Sequence, residues 1–84
     1  MNRPKRQKHF QTYKNAGGKS TVARFEVAKD AITVVFTNHS VYRYTNQSAT
    51  PANISQMKTL ALAGKGLGTF IETKAKDLYL KKIR

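Results

Sequence analysis

Ala31-Ile32-Thr33-Val34-Val35-Phe36-Thr37-Asn38-His39-Ser40-Val41-Tyr42-Arg43-Tyr44-Thr45 is the stretch that decides the fold. Ile32, Val34 and Phe36 alternate with Thr33, Val35 and Thr37, the period-2 pattern of a strand. The β-branched residues of the second face suit a strand as well. Asn38-His39 suits a hairpin turn, because Asn and His tolerate a positive φ. Val41–Thr45 is then the return strand. A two-residue loop, Asn38-His39, would pair Phe36 with Val41 and turn Arg43 onto the face of Val34, burying a charge. A three-residue loop, Asn38–Ser40, pairs Phe36 with Tyr42 and Val34 with Tyr44, and Arg43 then faces outward beside Val35. A slip of one residue exchanges the two faces, so burial selects strongly for the second register.

Upstream, Ala23, Phe25 and Val27 alternate with Arg24 and Glu26, and Lys29-Asp30 is a turn. Connections this short imply an antiparallel meander. Its apolar face collects Phe25, Val27, Ile32, Val34, Phe36, Tyr42 and Tyr44. Downstream, Thr50 caps a helix whose first turn holds Pro51 and whose C-terminal stop is Gly64. Ile54, Met57, Ala61 and Leu62 line one side of it, and Lys58 lays its aliphatic stem over that side. Lys65–Gly68 reads as a loop. Thr69 and Glu72 then form a capping box for a second helix with an Ile71, Ala75, Leu78, Tyr79 and Ile83 stripe. A strand over Leu78–Leu80 is the competing reading. The expected fold is α+β: a three-stranded antiparallel meander packed against two C-terminal helices.

The chain has 84 residues, within the range of one small domain. Residues 1–19 carry Arg3, Lys5, Arg6, Lys8, Lys14 and Lys19, no acid, and only Phe10 and Tyr13 as bulky apolar groups besides Met1. So little apolar surface does not offset the ordering cost, so a flexible, disordered basic arm is expected over 1–19 and a single domain over 20–84. The basic start has no apolar run after it, so a secretory signal is not expected and a cytoplasmic location is.

Sixteen Lys and Arg against four Asp and Glu give a formal charge of +12. Such an imbalance favours polyanionic partners. There is no Cys, which excludes disulfide and thiolate chemistry. With two His and four scattered acids, neither a metal site nor any other cofactor is expected, and neither is enzymatic activity. Gly17-Gly18-Lys19-Ser20 ends like a phosphate-binding P-loop, but Tyr13 stands where that pattern needs glycine. The Gly64–Thr69 segment, with Lys65, leads into a helix N-terminus that attracts anions, or else it is a plain linker. Tyr42 and Tyr44 read as core residues with hydroxyls at the rim; the alternatives are a surface platform that stacks bases and an intermediate case, rings half-buried with edges or hydroxyls lining a groove.

Ile32–Phe36, Asn38 and Val41-Tyr42-Arg43-Tyr44 together resemble the KTSC domain, a small domain named after the C-terminal region of some lysyl-tRNA synthetases. Its hallmark is a Tyr-x-Tyr preceded by a strand ending in Phe and followed by a helix, a Gly-containing loop and an aromatic-apolar segment. Ala63-Gly64-Lys65-Gly66 and Phe70-Ile71 stand at the last two places, and the likeness spans roughly residues 22 to 80. Pro51 comes later after the tyrosines than the family's Val-Pro does, and Glu72 stands where an Asn is common. The resemblance implies the fold, Tyr42 and Tyr44 as the signature pair, and, through the family's company with synthetases, RNA binding.

The expected function is non-enzymatic nucleic-acid binding, RNA before DNA, mainly through phosphates and with low sequence specificity. Lys5, Arg6, Lys8, Lys14 and Lys19 would supply mobile charge and Lys65 a weaker contact. Arg24 and Arg43 would form a fixed patch that Tyr42 and Tyr44 shape or stack beside. The alternative is a phage or regulatory accessory module that binds an acidic protein. Membrane association is not expected, because the arm has no apolar face to insert.

Overall fold

The structure, a computed structural model, describes residues 10–16, 18 and 20–84. Five antiparallel strands form one sheet in sequence order: β1 Gln11–Thr12, β2 Val22–Ala28, β3 Ala31–Phe36, β4 Val41–Thr45 and β5 Lys81–Lys82. Between β4 and β5 run the single turn α1, Asn46–Ala49, and the helices α2, Pro51–Ala63, and α3, Leu67–Lys74. The expected meander is therefore the centre of a wider sheet.

The hairpin keeps the expected faces with a different loop. Val34 stands opposite Tyr42 and Ile32 opposite Tyr44, while Thr33 rather than Val35 is the neighbour of Arg43. The loop is Thr37–His39, closed by hydrogen bonds from the Phe36 amide to the Ser40 carbonyl (2.8 Å) and from the His39 amide to the Phe36 carbonyl (2.9 Å). His39 takes φ 74°, the left-handed residue that a three-residue hairpin loop uses to match strand twist. Both three-residue loops bury the same side chains, so patterning does not choose between them; loop closure does.

Phe25, Ile32, Val34 and Tyr44 form the core with Ile54, Met57, Ala61, Leu67 and Ile71. Val27, on the same face, lies at the end of the sheet and is 37% exposed. A register shift between Val22 and Arg24 brings Val22, not Ala23, into the core. In α2 the Thr50 side chain accepts from the Asn53 amide, and Gly64 ends the helix at φ 81°, as the sequence implies. The Lys58 ammonium donates to the Lys29 carbonyl (2.7 Å), fastening α2 to the β2–β3 turn.

Two expectations change. The domain does not start at residue 20: β1 pairs with β2, and Tyr13 is a core residue only 3% exposed. Its hydroxyl accepts from the buried Leu67 amide (3.1 Å), which satisfies a free N–H at the start of α3. The Ala16 amide binds the Gly64 carbonyl (2.8 Å), and a Cβ on Gly64 would fall 2.5 Å from that of Lys14, so only glycine lets this segment pass. The rest of the expected arm, residues 1–9, 17 and 19, lies outside the described residues. The second change is at the C-terminus. α3 begins at Gly66 without a side-chain cap and stops at Ala75, so Thr69 and Glu72 form no capping box. Ile71 and Ala75 are buried as the stripe implies, but the chain then leaves the helix and pairs with β4 as β5.

Replacing Tyr13 distinguishes an integral residue from one on a loose arm. Tyr13→Phe strands a buried amide and should lower the urea-unfolding free energy by about 1–3 kcal/mol. Tyr13→Ala should lower it by about 3–5 kcal/mol. Unchanged midpoints for both would remove Tyr13 from the core.

Candidate nucleic-acid interface

The helices cover one face of the sheet only. On the other face, β2, β3 and β4 present Arg24, Glu26, Thr33, Val35, Val41 and Arg43, the residues that alternate with the core set. Arg24 is opposite Val35, which is opposite Val41; one row along, Glu26, Thr33, Arg43 and Lys81 lie in line across four strands. The two arginines therefore flank β3 from either side, two strand spacings or about 10 Å apart across the sheet. They line a shallow cavity of about 370 Å³ with Phe10, His39, Ile83 and Arg84. Arg43 donates to the Thr33 hydroxyl (3.0 Å), which fixes its guanidinium along the sheet. Arg24 is exposed. Glu26, only 7% exposed, lines the same cavity, so one carboxylate stands among three arginines there.

The outer strands complete the surface. Extending the β1 register one residue places Phe10, a residue 43% exposed, beside Glu26. The Ile83 amide donates to the Val41 carbonyl (2.7 Å) and the Val41 amide to the Arg84 carbonyl (3.1 Å), which brings Ile83 and Arg84 alongside β4. Phe10, Ile83 and Arg84 were not legible as site residues, because two-residue strands carry no periodic signal.

Tyr42 and Tyr44 do not belong to this surface. They point to the helix side, opposite Val34 and Ile32, so the structure does not bring them together with Arg24 and Arg43. Tyr44 is buried and Tyr42 half-buried. Tyr42 packs edge-on against Phe36 (centroids 5.6 Å apart) and Tyr79 (4.8 Å), and Tyr44 against Tyr79 (6.4 Å). Burial, and secondarily the neighbouring Tyr42 and Tyr79, push the Tyr44 hydroxyl up to about 12 from its ordinary 10.

Lys65 is exposed and lines a separate cavity of about 220 Å³ with Tyr13, Gly66 and Gly68. Lys14 is exposed against Gly64. Lys5, Arg6, Lys8 and Lys19 lie outside the described residues. Among the described residues no group of three or more His, Cys, Asp or Glu gathers as metal ligands would, and no helix is long and apolar enough to cross a membrane.

Compared with known proteins, the chain matches no family model, no curated protein and no solved structure.

The Tyr44 shift fixes a sign. The folded state holds the phenol proton more tightly than the unfolded chain, so this contribution is complete below pH 10 and is lost as pH rises towards 12. The thermal midpoint should therefore fall between pH 10 and pH 12, and Tyr44→Phe should remove that part of the fall. An identical pH profile in both proteins would show that Tyr44 ionises as freely folded as unfolded.

Proposed function

We propose that this protein binds nucleic acid without catalysis, RNA in preference to DNA, mainly through phosphates and with low sequence specificity. The observation that carries the reading is the shared cavity of Arg24, Arg43, Arg84 and Phe10 on the helix-free face of the sheet. Guanidinium forks match phosphate oxygens. An exposed ring on a basic sheet gives an unpaired base something to stack on, and this favours single-stranded RNA over a duplex. Resemblance to the KTSC domain and its synthetase company points the same way. The net charge of +12, with Lys5, Arg6, Lys8, Lys14 and Lys19 near one end of the chain and Lys65 in the α2–α3 loop, adds phosphate attraction that reads no sequence.

A second reading has its own observation. Phe10 and Ile83 expose apolar surface amid the arginines, as a face for an acidic protein would. Salt response separates the two. RNA affinity should fall log-linearly with salt, by about 0.7 per phosphate contact, and removing both Arg24 and Arg43 should flatten that slope by about 1.4.

Filter binding with RNA, single-stranded DNA and duplex DNA at several salt concentrations is the test. Arg24→Ala should weaken RNA binding while leaving the thermal midpoint in place, since that side chain is exposed. Arg43→Ala should also cost about 1 kcal/mol of stability through the lost Thr33 bond. Phe10→Ala should cost about 1–3 kcal/mol of RNA affinity, the worth of one stacked base. Wild-type affinity in all three variants would overturn the interface. Capture of an acidic protein from nuclease-treated lysate, with no polynucleotide bound, would favour the second reading.

A further inference from the structure

On the helix side, Phe36, Tyr42, Tyr44 and Tyr79 form one wall of an open groove of about 820 Å³. Glu72, Lys76 and Asp77, from α3 and the turn that follows it, form the other. Two of the chain's four acidic residues thus face this groove against one lysine, in a molecule that is otherwise strongly cationic. The aromatic rings pack edge to face on one another, with interplanar angles of 84°, 67° and 87°. Tyr79 is 37% exposed.

Tyr44 supplies a second, independent observation. Its side chain is 1% exposed and lines the groove. Unlike the Tyr13 hydroxyl, which accepts from Leu67, the Tyr44 hydroxyl has no hydrogen-bond partner among the described residues. A buried hydroxyl without a partner is costly to the fold, and a ligand that supplies one offsets the cost. The aromatic cluster already takes an ammonium from its own chain: Lys82 Nζ rests 5.8 Å from the Tyr42 ring centroid, and Lys82 does not line the groove.

We propose that this groove binds an organic ammonium cation. The Tyr79 ring, the exposed member of the cluster, takes its charge by cation–π attraction, Glu72 and Asp77 neutralise it, and the Tyr44 hydroxyl accepts a hydrogen bond from its N–H where it has one. A phosphate-bearing ligand is disfavoured, because the two carboxylates repel it. The site is independent of the arginine face, which lies on the other side of the sheet, so failure of RNA binding leaves it untouched.

The test follows the Tyr42 and Tyr79 ring resonances of the full chain by NMR at constant ionic strength. The probes are tetramethylammonium, spermidine and Nα-acetyl-lysine amide, with tert-butanol as a neutral control of similar shape and uridine as a base. Saturable shifts with the cations and none with tert-butanol are expected; the stronger of spermidine and the lysine amide identifies a free polyamine or a protein side chain as the source. Asp77→Asn should weaken binding about fivefold, and Lys76→Met should tighten it by a similar factor. Tyr44→Phe should weaken spermidine binding about fivefold while the thermal midpoint at neutral pH holds or rises, because an unpartnered buried hydroxyl is removed. A purely structural tyrosine would not separate those two readouts. No saturable shift, an equal response to tert-butanol, or a response to uridine alone would each overturn the proposal.

Discussion

The opposition of Val34 and Tyr42 across the β3–β4 hairpin is the constraint on which the rest depends. It puts Tyr42 and Tyr44 on the face of Ile32, Val34 and Phe36, where the helices cover them, and Arg43 on the face of Thr33 and Arg24. A slip of one residue would bury a guanidinium beneath α2 and expose two tyrosines to water, so the alternative is excluded by several kcal/mol of desolvation. The last strand inherits the same register: Lys82 stands opposite Tyr42 and Lys81 opposite Arg43. Through it the C-terminal residues are sorted too, with Lys82 set over an aromatic ring and Ile83 and Arg84 beside the arginines.

What was legible in the sequence follows from how local each signal is. The parity of the hairpin was legible because it turns on burying a charge. The exact loop was not, since Thr37–His39 and Asn38–Ser40 bury the same side chains and differ only in where the left-handed residue falls. The helix from Pro51 to Ala63 was legible because Thr50, Pro51 and Gly64 act within a few residues of its ends. The start of α3 was not. Thr69 and Glu72 offer a capping box, but Leu67, fully buried, draws the helix start three residues earlier, and the hydroxyl of Tyr13, 54 residues away, accepts a hydrogen bond from its amide. No local pattern encodes that partner. β1 and β5 are likewise tertiary in origin: two residues cannot show a period, and only an existing sheet edge gives them hydrogen bonds.

The same logic accounts for the candidate site. Arg24 and Arg43 share a face because each alternates with a core residue, and that could be read. The parity that joins them also separates them from Tyr42 and Tyr44. A patch of arginines shaped by those tyrosines was therefore inconsistent with the very register that buried the tyrosines. Phe10, Ile83, Arg84 and Tyr79 reach their positions only through the short outer strands or the turn before β5, so neither surface could be completed from the sequence.

A single layer of strands thus separates two surfaces of opposite character, one arginine-lined and one lined by tyrosines and carboxylates. In a molecule of charge +12 an unscreened field would erase the smaller, local one. Screening prevents this. At physiological salt the Debye length is about 8 Å, so lysines farther away than that contribute little inside the groove, whereas Glu72, Lys76 and Asp77 line it. Local composition therefore sets the polarity of each surface. The net charge governs how fast a polyanion arrives, and the residues of each face govern what stays.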